Sequence, residues 1–192
     1  MFYNLQDLEK RAKSKNLSES GSIYKFASLE KSINSTQNFD IFLSHSYLDA
    51  KYIEIIREDL MKLGYSVYVD WIVDKQLNRK EVTKETADTL RQRMKQCKSL
   101  FYAITENYSN SKWMPWELGY FDALKHKVAI LPVKKVPDTS EQYKGTEYLG
   151  LYHYVTVSKN KGGQEVVWIN KNENEYASFN EWIEGKEPYL RT

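Results

Sequence analysis

The chain has 192 residues, which is enough for one domain with a sizeable hydrophobic core. Hydrophobic residues make up 41% and charged residues 28%, as in ordinary globular proteins, and the net charge of +2 is spread along the chain without a basic stripe. These values exclude a chain built to bind a phosphate backbone, so we expect no nucleic-acid partner.

The number of cysteines and the hydropathy of the chain indicate the cellular compartment of the protein. The single cysteine, Cys97, cannot form an internal disulfide. The sequence has no apolar run long enough for a signal peptide or a membrane span. We therefore expect a cytoplasmic protein with no membrane partner.

The N-terminal residues 1–36 form a polar extension rich in Lys and Ser. Two weakly amphipathic patterns predict helices within it, one around Leu8 and one over residues 24–33. Residues 32–38 are typical of a linker because Ser, Asn, Thr and Gln dominate them. We expect the compact domain to cover residues 37–192, with this helical extension and linker before it.

From residue 39 onwards, short apolar runs alternate with helical patterns. The predicted strands cover residues 39–43, 65–70, 99–104 and 128–133. The predicted helices cover residues 49–63, 83–98 and 113–126. Gly64 is placed to end the first of these helices, and Thr83 is placed to cap the second.

The tail of the chain has a different pattern. Residues 153–158 and 165–169 are strand-like runs on either side of Gly162 and Gly163, which predicts a β-hairpin. Residues 178–184 fit a short final helix. The alternation before the tail indicates an α/β fold with a mostly parallel sheet that is covered on both faces.

Ligands of open α/β sheets bind beyond the carboxyl ends of the strands, where the strand order reverses. In the flavodoxin-like order 2-1-3-4-5, this reversal lies between the first and third strands. Ser44, which follows the first strand, and Glu117, in the helix after the third strand, would then flank one crevice.

Glu117 follows Trp113 by one helical turn, so the two side chains share a face. An indole beside a single carboxylate suits a flat cationic ring next to a sugar. A purely structural alternative is that Glu117 complements the helix dipole, since Pro115 marks the start of the helix.

Three motifs follow one another along the chain. They are residues 39–43 with Ser44-His45-Ser46, residues 64–70, and Trp113-x-x-x-Glu117. As a set they resemble a Toll/interleukin-1 receptor (TIR) domain of the bacterial type, similar to the TIR components of anti-phage defence systems. The resemblance covers about residues 39–133. It implies a flavodoxin-like doubly wound fold with a five-stranded, mostly parallel sheet, here joined by the N-terminal helical extension and the C-terminal hairpin.

Many bacterial members of this family cleave NAD⁺ at the nicotinamide N-glycosidic bond, with the glutamate of the Trp-x-x-x-Glu motif as the catalytic residue. The expected catalytic residue is therefore Glu117, and the expected substrate contacts are Trp113, Ser44, His45, Ser46, Asp70 and Trp71. A capped turn is an equally good interpretation of Ser44-His45-Ser46, and Asp70 is also typical of an acid that ends a strand. We expect NAD⁺ as substrate, no cofactor and no metal, because the chain lacks the nucleotide-cofactor and zinc motifs.

One carboxylate suffices for this chemistry, because nicotinamide leaves as a neutral molecule and only the oxocarbenium-like ribose needs stabilisation. The products would be nicotinamide and either ADP-ribose or a cyclic ADP-ribose isomer. Such an enzyme would signal to a separate effector protein or deplete NAD⁺, and its TIR domains would self-associate. Two alternatives stay open, a non-catalytic TIR assembly module and a glycosidase that acts on another nucleoside or nucleotide.

Overall fold

The computed structural model describes residues 1–17, 37–74, 83–135, 142–145 and 147–190. Its strands are β1 Tyr3–Asn4, β2 Phe39–Ser44, β3 Val67–Tyr68, β4 Cys97–Ile104, β5 Val128–Lys134, β6 His153–Lys159, β7 Glu165–Asn170, β8 Glu175–Ser178 and β9 Tyr189–Leu190. Its helices are α1 Leu5–Ser14, α2 Ala50–Lys62, α3 Asp70–Val73, α4 Lys84–Gln96, α5 Met114–Lys125 and α6 Phe179–Ile183.

The strands form one sheet in the order β3-β2-β4-β5-β6-β7-β8-β9, and β1 pairs with β5. The five strands β2 to β6 are parallel neighbours, and β6 to β9 are antiparallel. The predicted order 2-1-3-4-5 is thus confirmed, with its reversal between β2 and β4. The expected five-stranded sheet is too small, because the hairpin continues the hydrogen bonding beyond β6 and short strands extend it further.

Helices cover both faces of the sheet, as predicted. The back face packs against α1, α2 and α6, and the front face packs against α4 and α5. Side chains alternate along β4, where Phe101 lies in the back core while Leu100 and Tyr102 lie in the front core. The end of each strand therefore presents consecutive residues to opposite faces.

The residues that were expected to begin or end three of the main helices do so. Thr83 accepts a hydrogen bond from the backbone of Thr86, which confirms it as the N-cap of α4. Gly64 ends α2 with a φ of 94°, a conformation that favours glycine. Pro115 lies in the first turn of α5, where its missing N–H costs no helical hydrogen bond.

The second predicted strand is shorter than expected. Only Val67–Tyr68 pairs with β2, and the chain then turns into α3, so Asp70 and Trp71 lie on a short helix rather than on a strand end or a loop. Among the described residues β3 is the edge strand of the sheet, and its pairing with β2 ends just before α3 begins at Asp70. The rest of the long connection, residues 75–82, is outside the described residues.

The N-terminal residues pack directly on the domain. The helix predicted around Leu8 is confirmed as α1, and Leu8 is fully buried in the back core. Tyr3 pairs with Val133 of β5, and Arg11 forms an ion pair with Asp59 of α2. The predicted helix over 24–33 and most of the predicted linker lie outside the described residues, so the boundary at residue 37 stays a prediction.

The tail follows its prediction closely. The hairpin of β6 and β7 pairs Thr156 with Trp168, and α6 starts with a capping box in which Ser178 and Glu181 bond each other's backbone. Within the part of the chain that the structure describes, no helix is long and apolar enough to cross a membrane.

Candidate active site

Ser44 lies at the carboxyl end of β2, in register with Tyr102 of β4. The two preceding residues alternate, since Leu43 lies in the back core and Phe42 in the front core. Ser44 therefore shares the front face with Phe42 and Tyr102, beneath the start of α5. This is the point where the strand order reverses.

Glu117 is in the first turn of α5 and reaches this strand end. The hydroxyl of Ser44 donates a hydrogen bond of 2.6 Å to Oε2 of Glu117. Both residues have an exposed fraction of 0%. The structure thus brings together the two residues that were expected to flank one crevice, although they are 73 positions apart.

Trp113 is the N-cap residue of α5 and its backbone oxygen accepts the hydrogen bond from the N–H of Glu117 at 2.8 Å. Its indole is buried in the front core and meets the ring of Trp116 edge to face, with centroids 5.4 Å apart. Trp116 in turn stacks on Tyr120 and lies under the guanidinium of Arg91. A cluster of aromatic rings therefore begins at Trp113, one turn before Glu117, and continues along α5.

His45 belongs to a second cluster on the opposite face of the strand end. Its Nδ1 lies 2.8 Å from the backbone oxygen of Leu43, and the indole N–H of Trp71 donates to its Nε2 at 3.0 Å. A carbonyl only accepts and an indole N–H only donates, so the ring is a neutral imidazole with its proton on Nδ1. Oδ1 of Asp70 lies 3.7 Å from Nε2.

This second cluster fixes α3 to the end of β2. His45, Asp70 and Trp71 are all buried, as is Ser46, whose backbone oxygen bonds the N–H of Asp49. The predicted substrate contacts therefore fall into two groups. Ser44 and Trp113 lie with Glu117 on the front face, whereas the histidine cluster lies on the opposite face of the strand end and ties α3 to it.

Sequence reasoning missed a buried link between the loops that border the crevice. Asp49, with an exposed fraction of 1%, accepts hydrogen bonds from the hydroxyl of Thr105 at 2.5 Å and from the amide of Asn107 at 2.8 Å. The link joins the loop after β2 to the loop after β4. The one available signal was the position of Thr105 directly after a predicted strand.

Tyr102 was missed as well. Burial raises the pKa of its hydroxyl well above the usual range, and the neighbouring Tyr148 and the carboxylate of Glu117 raise it further. Tyr102 also shares a hydrogen bond with Tyr148, whose exposed fraction is 44%. A pair of neutral phenols thus connects the neighbourhood of Glu117 with the surface.

Two grooves of the structure lie away from Glu117, whose side chain is fully buried. One of about 690 Å³ runs along the hairpin and is lined by Thr156, Trp168, Asn170 and Tyr176 among others. One of about 400 Å³ is lined by N-terminal residues together with Asp59 of α2. Neither includes Glu117, whose site is closed in this structure.

The described residues show neither a group of metal ligands nor a reactive thiol. Among the described ranges, no group of at least three His, Cys, Asp or Glu side chains is placed to hold a metal ion. Cys97 is a free, buried cysteine, and burial raises the pKa of its thiol far above the usual range. The expectation that the protein needs neither metal nor cofactor stays a prediction.

Comparison with known families is decisive for the fold. Residues 41–173 match the family of TIR domains. The chain belongs to the TIR family. The matched range contains all but the first two residues of β2, the strands β3 to β7, and all seven predicted site residues of this TIR protein.

Two curated relatives resemble this TIR protein. It is 53% identical over 155 residues to "Probable 3′ cyclic ADP-D-ribose synthase ThsB′" of Bacillus cereus (strain MSX-D12), which covers 80% of this chain and 80% of the relative. It is 36% identical over 91 residues to "Putative cyclic ADP-D-ribose synthase TIR2" of Cytobacillus dafuensis, which covers 45% of this chain and 24% of that protein.

Proposed function

We propose that this TIR protein is an enzyme that cleaves NAD⁺, releases nicotinamide and closes the remainder into a cyclic ADP-ribose isomer. Glu117 is the catalytic carboxylate. The observation that carries the proposal is the contact of Glu117 with Ser44 at the strand-order reversal, one turn after Trp113. Support for the reaction comes from the relatives named as cyclic ADP-D-ribose synthases.

In the first step, the bond between C1′ of the ribose and the pyridinium nitrogen breaks, and its electron pair goes to nicotinamide. Nicotinamide leaves without needing a proton, while positive charge develops at C1′ and the ring oxygen. The carboxylate of Glu117 stabilises this charge, as glycosidase carboxylates do. The indole of Trp113 packs beside the reacting ring.

In the second step, an oxygen of the same dinucleotide attacks C1′. The new C–O bond forms as the hydroxyl loses its proton to solvent, so one NAD⁺ gives one nicotinamide, one cyclic product and one proton. Attack by water instead would give linear ADP-ribose. The cyclic outcome is proposed because the relative at 53% identity is named as a 3′ cyclic ADP-D-ribose synthase.

The closed site implies an opening step. Glu117 has an exposed fraction of 0% in the single chain, so the dinucleotide reaches it only after a rearrangement. We propose that self-association of TIR domains causes this opening. We further propose that the protein acts in the cytoplasm as a signal producer in anti-phage defence, and that a separate effector protein binds the product.

The deciding experiment is NAD⁺ turnover by the purified full chain at high protein concentration, with products separated by chromatography. Glu117→Gln keeps the size of the side chain and removes its charge, so we expect nicotinamide release to fall about 100-fold or more. The matched control is Glu85→Gln, because Glu85 is an exposed acid in the first turn of α4.

Each result has a distinct meaning. Release by the wild type and by Glu85→Gln but not by Glu117→Gln supports the proposal, and the co-product identifies cyclisation. Equal loss in both variants would show that Glu117 acts only on the helix dipole. No turnover by wild type at any concentration would favour the non-catalytic assembly module.

A further inference from the structure

Ser44 is a fixed part of the sheet rather than part of a mobile loop. It is the last residue of β2, and its register partner on β4 is Tyr102. The strand β2 pairs with β3 at Ile41 and Phe42, and with β4 as far as Ser44 itself. The hydroxyl of Ser44 is thus presented to the front face from a rigid support.

The hydroxyl of Ser44 donates its hydrogen bond to Glu117. The Oγ to Oε2 distance of 2.6 Å is in the range of hydrogen bonds from a hydroxyl to an ionised carboxylate. A buried carboxylate is costly unless donors surround it, and this one has an exposed fraction of 0%. The serine hydroxyl and the N-terminus of α5 both favour the charged form.

The same contact argues against Ser44 as a direct substrate contact. A hydroxyl has one proton to donate, and here it points at the carboxylate. The side chain is fully buried, so a substrate hydroxyl would have to displace Glu117 before reaching it.

We infer that Ser44 is a positioning residue, whose hydroxyl keeps the carboxylate of Glu117 ionised and fixed against the end of β2, where it meets the ribose of NAD⁺ once the site has opened. This inference rests on the proposed function, in which Glu117 stabilises the positive charge at C1′. Loss of the hydroxyl then makes the carboxylate of Glu117 easier to protonate and leaves its side chain less fixed. The substrate contacts stay in place.

Two neighbouring titratable groups bear on the acid dependence of Glu117. From β4 it faces Tyr102, which stays neutral because burial raises its pKa well above the usual range. From the end of β2, the next residue is His45, whose ring bonds Leu43 and Trp71 on the other face.

The test compares Ser44→Ala, Ser44→Cys and Ser44→Thr by kcat, KM and the pH profile of nicotinamide release. Alanine lacks the donor, cysteine has a weak one, and threonine keeps the hydroxyl. We expect kcat to fall about 10- to 100-fold in the alanine and cysteine variants, with KM within about twofold of wild type and with substantial recovery in threonine. The acid limb of the kcat profile should move to higher pH in Ser44→Ala, because the lost donor makes Glu117 easier to protonate.

The matched control is Ser99→Ala. Ser99 is another fully buried serine of this sheet, and its hydroxyl donates to the backbone oxygen of Asp40 at 2.8 Å, away from Glu117. It should keep wild-type kcat. An equal loss of kcat in Ser99→Ala would overturn the inference in favour of general destabilisation.

Other results separate this inference from the proposed function. A raised KM with unchanged kcat in Ser44→Ala would make Ser44 a substrate contact, and increased turnover would make it a restraint on Glu117. Activity retained by Glu117→Gln would instead overturn the proposed function.

A readout independent of activity is the carboxyl ¹³C signal of Glu117, assigned with Glu117→Gln. It should titrate at higher pH in Ser44→Ala, and an unchanged midpoint would overturn the inference.

Discussion

At the scale of single residues, two buried acids of this domain are held by specific donors. Glu117 is bonded by Ser44, and Asp49 is bonded by Thr105 and Asn107. Donors of this kind let carboxylates stay charged where water is excluded. The site is therefore built from hydroxyl and amide groups at strand ends, in addition to the acid that the motif identifies.

At the other end of β2, the carboxylate of Asp40 is also kept charged by donors, and its effect on stability can be tested by changing the pH. Burial alone would raise the pKa of its carboxyl, but hydrogen bonds from Lys98 and Ser66 outweigh burial and lower the pKa below its ordinary value of 3.8. A lowered carboxyl pKa contributes stability above the unfolded value, and that stability is lost as the pH falls through the folded value.

We therefore expect Asp40→Asn to reduce the acid sensitivity of the fold. The thermal midpoint of the wild type should drop more steeply than that of the variant between about pH 4 and about pH 2. Circular dichroism melts at several pH values measure this difference. Asp88→Asn removes one exposed negative charge on α4 and is the control. Parallel curves for wild type and Asp40→Asn would contradict the expectation.

At the scale of elements, the long periodic segments and the short final helix α6 were predictable, whereas several of the shortest segments were not. The helices α2, α4 and α5 lie where apolar spacing, the cap Thr83 and the glycine Gly64 placed them. The strands β1, β8 and β9 have only two to four residues, and α3 has four. Such segments are too short to show a periodic pattern of apolar residues. Their structure comes from pairing with neighbouring elements.

An ion pair between elements holds α3 against α4. Arg93 bonds both carboxylate oxygens of Asp74, at 2.8 and 2.7 Å, and the hydroxyl of Tyr68 donates to the same carboxylate at 2.8 Å. The exposed fraction is 9% for Arg93 and 4% for Asp74. A pair this buried is costly to break from one side, because the remaining charge has no water.

Arg93→Met should therefore lower the free energy of unfolding by about 3–5 kcal/mol. Urea unfolding followed by fluorescence measures it. Arg91→Met breaks the exposed pair with Asp88 and should cost less than about 1 kcal/mol. The double variant Arg93→Met/Asp74→Leu should recover much of the loss. Similar costs for Arg93→Met and Arg91→Met would show that α3 and α4 do not depend on the buried pair.

At the scale of the whole molecule, part of the site follows from topology. The strand order and the alternation along β2 are enough to place Ser44 near Glu117. The alternation is readable from the sequence, whereas the strand order was assumed as the flavodoxin-like one that the TIR resemblance implies. The cluster of His45 and Trp71 was not predictable as a contact, because it depends on the turn from β3 into α3. The link of Asp49 to Thr105 depends on two loop conformations and was missed for the same reason.

The closed site also predicts how activity should depend on concentration. If association opens the site around Glu117, nicotinamide release per molecule should rise with protein concentration. Specific activity measured over about a 100-fold dilution, with sedimentation to follow the assembly, checks this expectation. Constant specific activity while the oligomeric state changes would show that each chain opens by itself.

The complete burial of Glu117 has a consequence for a host cell. NAD⁺ is needed by most of metabolism, and a permanently open active site would drain it from the moment of synthesis. Under the proposed function, a chain that buries its acid can accumulate without consuming NAD⁺. The delay between a trigger and the activity is then set by the rearrangement of folded molecules rather than by transcription and translation.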